Sequence, residues 1–136
     1  MGFEKAIERL RRIRDAYGRI HAVTSAVGAE SSPEAIDRAV SQRSALFQEI
    51  ADQELGLEAE ARGWQAYIAR DTVLGAVVED IRGLIRTIAE LDARVQEIVR
   101  KKVNSIRGEL FDLGATSKAA LAYVSHTRTA TLRSAR

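Results

Sequence analysis

The sequence predicts an all-α fold, an antiparallel bundle of three long helices with a short C-terminal helical extension. Three observations support this prediction. Helix-forming residues are common and the chain has a single proline. Its 136 residues, 46% hydrophobic and 29% charged, fit one folded domain rather than a disordered chain. Apolar residues also recur at steps of three and four along most of the chain, which is the period of an amphipathic helix.

The first helix is predicted near residues 3–28. Nearly apolar positions at steps of three and four define its inner face: Phe3, Ile7, Leu10, Ile13, Tyr17, Ile20, Thr24 and Val27. Five arginines lie on the other faces: Arg9, Arg11, Arg12, Arg14 and Arg19. Because charged faces of bundle helices are usually solvated, we interpret this arginine cluster as ordinary surface.

The second helix is predicted near residues 33–69. Ser32 precedes Pro33, the only proline, and this pair is typical of an N-cap followed by the first helical position. The predicted inner face is formed by Ile36, Val40, Phe47, Ile50, Leu57, Ala61, Trp64 and Ile68. Arg43 and Glu54 interrupt this face at the same spacing. This predicts a bundle edge, where the aliphatic part of Arg43 can be buried while its charge stays in water.

The second helix also has an acidic flank. Residues 44–61 contain five acids and no base: Glu49, Asp52, Glu54, Glu58 and Glu60. The sequence therefore predicts that this flank faces the arginine-rich first helix, because opposite charges attract across adjacent helices.

The third helix is predicted at residues 72–113, with Asp71 or Thr72 as its N-cap. Its apolar positions are Val77, Ile81, Leu84, Ile88, Leu91, Val95, Val99, Val103, Ile106, Leu110 and Leu113. Three of these are expected to be buried against the other helices: Ile88, Val95 and Ile106. A helix of about 40 residues is too long to be covered by one short partner, so both other helices are expected to lie against it.

The end of the third helix is left open by Gly114. This glycine either follows the last helical residue or is tolerated inside the helix at a cost of about 1 kcal/mol relative to alanine. A short helical extension is predicted to about Val124. The helical bundle domain is accordingly predicted at residues 1–124, and residues 125–136 are predicted to be a basic, mobile tail.

No catalytic, cofactor or metal site is predicted. The chain has no cysteine, and its two histidines, His21 and His126, have no second ligand at helical spacing. Its nine glycines are dispersed and form no phosphate-binding loop. We therefore expect a protein that is not an enzyme. The one enzymatic alternative is a helical chorismate-mutase type, in which Arg43 with Arg9 or Arg12 would bind a dianion.

Charge and hydropathy bear on location and partners. No run of about 20 apolar residues is present, so membrane insertion is not expected and the cytoplasm is the expected compartment. Residues 100–136 carry 8 basic residues against 2 acidic ones. Nucleic-acid binding is a lesser alternative, because no helix-turn-helix pattern, zinc site or interleaved aromatic platform accompanies these charges.

Residues 85–123 carry a recognisable pattern. An I-x-x-I-x-x-L-D run is followed by a long apolar-periodic helix, a leucine, a glycine or basic residue, and a closing alanine-tyrosine. The matching positions are Ile88, Leu91, Asp92, Leu110, Leu113, Gly114, Lys118, Ala122 and Tyr123. This region resembles the C-terminal region of FlgN/FliT-type flagellar export chaperones. Residues 42–50 are similar to a basic-x-x-leucine-leucine stretch in the second helix of that family.

The resemblance implies a flagellar export chaperone in the cytoplasm. Such a chaperone binds the C-terminal helical segment of a hook-associated or filament-cap protein, prevents premature assembly, and delivers this client to the type III export apparatus. The resemblance does not say which of these proteins is the client. The alternative is a coiled-coil scaffold or adaptor that self-associates, for example as a homodimer, because an oligomer would use the same apolar faces.

The candidate partner-binding residues lie near the C-terminal end. They are Leu110, Leu113, Leu121, Tyr123 and Val124. A frayed chain end would not need such apolar residues, and Gly114 with the small residues after it is a plausible hinge. We therefore expect a patch that either covers the client groove or forms part of it.

Overall fold

A computed structural model describes the backbone of residues 3–134 and the side chains of residues 3–114. In this part of the chain, three α-helices and one short 3-10 helix follow one another, and no strand is present. They are α1 (Glu4–Ser25), α2 (Pro33–Glu60), the 3-10 helix (Trp64–Tyr67) and α3 (Thr72–Ser134). The predicted all-α fold is confirmed.

The chain divides into two compact units. The bundle unit, Met1–Gln96, contains α1, α2, the 3-10 helix and the first part of α3. Side-chain contacts between its helices are Arg9 with Glu60, Arg14 with Asp80, and Arg94 with the carbonyl oxygen of Ser25. These contacts make α2 antiparallel to α1 and α3 parallel to α1. The C-terminal unit, Glu97–Arg136, contains the remainder of α3.

Ser32 caps α2, as predicted, and α3 is capped by Asp71, one of its two predicted candidates. The hydroxyl oxygen of Ser32 accepts a hydrogen bond from the backbone N–H of Ala35 (3.1 Å), and Pro33 follows as the first helical residue. A carboxylate oxygen of Asp71 accepts hydrogen bonds from the backbone N–H groups of Val73 and Leu74, both 3.0 Å long. Each cap satisfies N–H groups that the first turn of a helix leaves without partners.

Replacing Asp71 by alanine is expected to lower the free energy of unfolding by about 1 kcal/mol, because two backbone N–H groups lose their acceptor. Urea denaturation followed by circular dichroism measures this change. Thr72→Ala is the control, since the Thr72 hydroxyl forms no hydrogen bond within the described side chains. Equal stability of the Asp71 and Thr72 variants would contradict the role given to Asp71.

The predicted inner face of α1 is confirmed at five positions, Leu10, Ile13, Ile20, Thr24 and Val27. Its buried residues are Ala6, Leu10, Ile13, Ala16, Ile20 and Thr24. The Thr24 hydroxyl donates a hydrogen bond to the carbonyl oxygen of Ile20 (2.7 Å), so this buried polar group is satisfied. Ile7 and Tyr17 pack at the margin of the core, and two alanines lie at its centre instead. Small residues at these positions let the neighbouring helices approach closely.

The predicted inner face of α2 needs a correction. Val40 is 57% exposed and Phe47 is 41% exposed, whereas Ala39, Ile50 and Leu57 are buried. The helix is therefore rotated from the predicted face toward a small residue, Ala39, that apolar periodicity does not distinguish from surface alanine. Ile50, Leu57 and Ala61 lie in the core, as predicted.

Close packing at the start of α3 requires a glycine. A Cβ atom at Gly75 would lie 2.8 Å from the backbone carbonyl oxygen of Ile68. Backbone atoms cannot move aside as a flexible side chain can, so the turn before α3 and its first helical turn approach each other only with glycine here. Leu74, next to it, is completely buried.

The end of α3 also needs a correction. The helix does not end at Leu113 but continues to Ser134 with Gly114 inside it. No proline follows that would stop it, and a single glycine costs a helix only about 1 kcal/mol. Residues 125–134, predicted as part of a mobile tail, continue this helix, and the predicted division of the chain at residue 124 stays a prediction.

Burial along α3 matches the prediction only in the bundle unit. Ile88 is 5% exposed and Val95 is partly buried, but Ile106 is 47% exposed, so its predicted burial is wrong. α1 has 22 residues and α2 has 28, against 63 in α3. Helices of these lengths cannot cover all of α3, although its apolar pattern continues beyond the bundle unit.

Candidate protein-binding surface

One arginine of α1 binds two residues of the acidic flank of α2. The Arg9 guanidinium donates hydrogen bonds to both carboxylate oxygens of Glu60, 2.9 and 2.6 Å long, and to the side-chain oxygen of Gln53 (3.0 Å). It lies so close to Gly56 that a Cβ atom there would overlap it. The prediction that the acidic flank faces the arginines of the first helix is confirmed for Glu60.

This ion pair shifts the pKa values of both side chains. The hydrogen bond from Arg9 holds the pKa of Glu60 below its ordinary value of 4.5. The same bond raises the pKa of Arg9. Because folding lowers the pKa of Glu60, its ion pair with Arg9 stabilises the folded state fully at pH values above the pKa of Glu60 in the unfolded chain. This stabilisation is lost as the pH falls through the pKa of Glu60 in the folded chain.

The variant Glu60→Gln is therefore expected to be less stable than wild type at pH 7, and the difference should shrink as the solution is acidified below about pH 4. Urea denaturation at a series of pH values measures it. Glu58→Gln is the matched control, because Glu58 forms no ion pair within the described side chains. A difference that stayed constant down to pH 2 would contradict an ionic contribution from Glu60.

A second arginine joins α2 to α3. Arg43 binds Asp92 through two nitrogen–oxygen contacts of 2.5 and 3.0 Å, and its guanidinium lies 5.6 Å from the ring centre of Phe47. The Phe47 ring in turn meets Tyr17 of α1 edge to face, with ring centres 6.4 Å apart. Arg43 is thus held at the edge of the bundle, as predicted, by a bidentate ion pair and a cation–π contact.

The arginines of the enzymatic alternative are already bound to carboxylates. Arg43 binds Asp92, Arg9 binds Glu60, and Arg12 binds Glu8. This arrangement gives no support to dianion binding by these three side chains. His21 is partly buried on α1, and no cluster of three metal-binding side chains occurs in the described part of the chain. The side chain of His126 lies outside the described residues.

The C-terminal unit carries exposed apolar side chains, four of which share one face of α3, while Phe111, which is 76% exposed, lies off this face. We call this face the C-terminal stripe: Val103, Ile106, Leu110 and Leu113, which are 38%, 47%, 62% and 63% exposed. Their steps of three, four and three residues confine them to an arc of about 80° at 100° per residue. Such a face is typical of a helix that packs against another helix.

The C-terminal stripe contains two of the five predicted partner-binding residues. Leu110 and Leu113 both lie on it and both are exposed. The side chains of the other three, Leu121, Tyr123 and Val124, lie outside the described residues, so the structure does not place them in the patch. Ile106 was predicted to be buried, and Val103 was named only as an apolar position of the helix. The exposure of both residues extends the surface by two turns.

Basic side chains flank the C-terminal stripe. At 100° per residue, Lys102 lies on one side of it, and Arg100 and Arg107 lie on the other. Arg100 binds Glu97, whereas Lys102 and Arg107 form no ion pair within the described side chains. Glu109 lies beside Lys102 on the first side, so the border of the stripe carries both basic residues and one acid.

A second surface, which the sequence did not reveal, lies on the bundle unit. We call it the α2 groove: a depression of about 630 Å³ between α2 and the 3-10 helix. Its apolar lining includes Ala51, Leu55 and Trp64, and its acidic lining consists of Glu54 and Glu58. Leu55 is 71% exposed, the highest value among the large aliphatic side chains of the bundle unit. In the sequence, this surface is indicated by Leu55, a large apolar residue among the acids of the acidic flank.

Comparison of the chain with protein-family models, with curated proteins and with solved structures finds no match. Among the described residues, none of the helices has a stretch long and apolar enough to cross a membrane.

Proposed function

We propose that this chain is a flagellar export chaperone that uses the C-terminal stripe to bind the C-terminal helical segment of a hook-associated or filament-cap protein. In the cytoplasm it would prevent premature assembly of this client and deliver it to the type III export apparatus. The observation that carries the proposal is the row of exposed apolar residues from Val103 to Leu113.

An exposed apolar row of this kind favours protein binding over other functions. Folded monomers rarely leave a contiguous apolar patch in water unless it is an interaction site. The spacing of the C-terminal stripe fits a helical partner, because residues at i, i+3 and i+4 of one helix meet the same period on another. An amphipathic segment at the end of a client supplies such a helix.

Composition also supports reversible binding. The C-terminal stripe consists of aliphatic residues and contains neither tryptophan nor tyrosine, the residue types that dominate tight interfaces. A chaperone that hands its client to an export apparatus must release it, and a moderate affinity favours release. The resemblance of residues 85–123 to flagellar export chaperones specifies the class of client.

The direct test is calorimetric titration of the full chain with the C-terminal segment of each hook-associated and filament-cap protein of the same organism. We expect one of these segments to bind with a dissociation constant in the range of about 1 nM to 10 μM. The same client without its C-terminal segment is the control and should not bind. If no segment binds the chain, the proposal is wrong.

Salt distinguishes this function from nucleic-acid binding. Client binding by aliphatic side chains is expected to weaken less than about tenfold between about 50 and 200 mM salt. If Arg100, Lys101, Lys102 and Arg107 instead neutralised four phosphates, affinity for DNA or RNA would fall about a hundredfold over that range. Submicromolar, salt-sensitive binding of a nucleic acid would favour that alternative.

A further inference from the structure

We propose that α2 binds an amphipathic helix of a second protein, and that lysine or arginine borders the apolar side chains of this helix. The helix lies along an exposed face of α2 and places the apolar side chains of one end in the α2 groove. The proposal rests on residues of the bundle unit, so it does not depend on the proposed function, which uses the C-terminal stripe.

An exposed row of apolar residues runs along α2. We call it the α2 row: Val40, Phe47, Ala51 and Leu55. Val40, Phe47 and Leu55 are 57%, 41% and 71% exposed, and Ala51 is partly exposed. Steps of seven, four and four residues confine the row to an arc of about 80° at 100° per residue, and its ends are about 22 Å apart along the helix axis. A row of this period and length fits one helix of about four turns.

The α2 groove lies at the C-terminal end of the α2 row and shares Ala51 and Leu55 with it. The other wall of the groove is the 3-10 helix, where Trp64 packs against the core and remains partly exposed. A tryptophan held in place by the core offers a fixed apolar surface, and such residues are a common source of binding energy. The groove is therefore expected to receive the largest apolar side chains of the partner helix.

The charge of this surface favours a basic partner. Among the described residues, Glu54 and Glu58 are the only charged ones that line the α2 groove, and neither forms an ion pair within the described side chains. At 100° per residue, Asp37 lies on the same side of α2 as Leu55, and it is also without an ion pair there. Lysine or arginine on the partner would neutralise these acids, whereas an acidic helix or a phosphate backbone would be repelled.

Two bases lie near the α2 row, and neither forms an ion pair with these acids. Arg43, at the edge of the row, binds Asp92 of α3 through two guanidinium nitrogens. Arg62 lies in the turn after α2, does not line the groove, and forms no ion pair within the described side chains. The acids of the α2 row and groove are therefore available to a basic partner.

The probe is a synthetic helical peptide of about 15 residues made of leucine and lysine, with its leucines at i, i+3, i+4 and i+7. Titrating this peptide into the full chain should produce a saturable change in the fluorescence of Trp64, the only tryptophan, with a dissociation constant on the order of 10 μM. The same peptide with glutamate in place of lysine should bind at least about tenfold more weakly.

Reversing the charge of the groove is the decisive step. Glu54→Lys with Glu58→Lys should lower the affinity for the lysine peptide at least about tenfold and raise the affinity for the glutamate peptide. The matched control, Glu49→Lys with Glu90→Lys, makes the same change of charge at two exposed acids outside the groove and should bind both peptides within about threefold of wild type. Circular dichroism should be the same for all three proteins, because these four acids lie outside the hydrophobic core.

Three results would overturn the proposal: a lysine peptide that leaves the fluorescence of Trp64 unchanged, equal affinity for both peptides, or a groove variant that keeps the wild-type preference or loses no more affinity than the control. Light scattering during size-exclusion chromatography tests the remaining occupant, a second copy of the chain. If the chain forms a dimer that Leu55→Asp dissociates, the groove is a self-association site and the proposal is overturned as well.

Discussion

Replacement of Leu74 by alanine is expected to lower the free energy of unfolding of the bundle unit by about 3 kcal/mol. Leu74 is completely buried in the cluster that joins all three helices of this unit. The substitution removes three carbon atoms and leaves a cavity that the surrounding core fills only partly. The midpoint of thermal unfolding should fall by on the order of 10 °C.

Trp64 makes this loss measurable by fluorescence, because it is the only tryptophan and it packs against the same core. The matched control is Leu110→Ala, the same chemical change at a side chain that is 62% exposed. In dilute solution, this control should change stability by less than about 0.5 kcal/mol. If Leu110→Ala cost as much as Leu74→Ala, the C-terminal stripe would be buried and the proposed binding surface would not exist.

The features predicted correctly from the sequence depend on neighbours along the chain. Ser32 was recognised as a cap, and Asp71 as one of two candidates, because a capping side chain binds N–H groups two or three residues later. The inner face of α1 was recognised because its large residues keep one period from Leu10 to Val27. Both signals are local, so they hold whatever the helix packs against.

The features predicted wrongly depend on contacts between distant residues. Periodicity placed Val40 and Phe47 on the inner face of α2, but Ala39 is buried instead, and Phe47 contacts Tyr17 and Arg43 at the edge. The buried face of α2 keeps the predicted Ile50 and Leu57 but is turned toward Ala39, and only the positions of the other helices decide this rotation. A pattern of residue types does not contain that information.

The candidate surface was predicted only partly, and the reason is the same. Leu110 and Leu113 were proposed as binding residues, but Ile106, with the same pattern on the same helix, was assigned to the core. Periodicity reveals that a face is apolar and does not reveal whether another helix covers it. The α2 groove depends on the turn that brings Trp64 beside Leu55, and residues nine apart in sequence give no such signal.

The double variant Leu110→Asp with Leu113→Asp is expected to weaken client binding at least about a hundredfold, because two carboxylates would be desolvated in an apolar contact. Both side chains are more than 60% exposed, so the bundle unit should keep its thermal midpoint within about 2 °C. The matched control, Asn104→Asp with Ser105→Asp, adds the same charge on the opposite face of the same helix and should bind the client like wild type. If both double variants lost affinity equally, net charge would explain the effect. If the Leu110 and Leu113 variant bound the client like wild type, the C-terminal stripe would not be the client-binding surface.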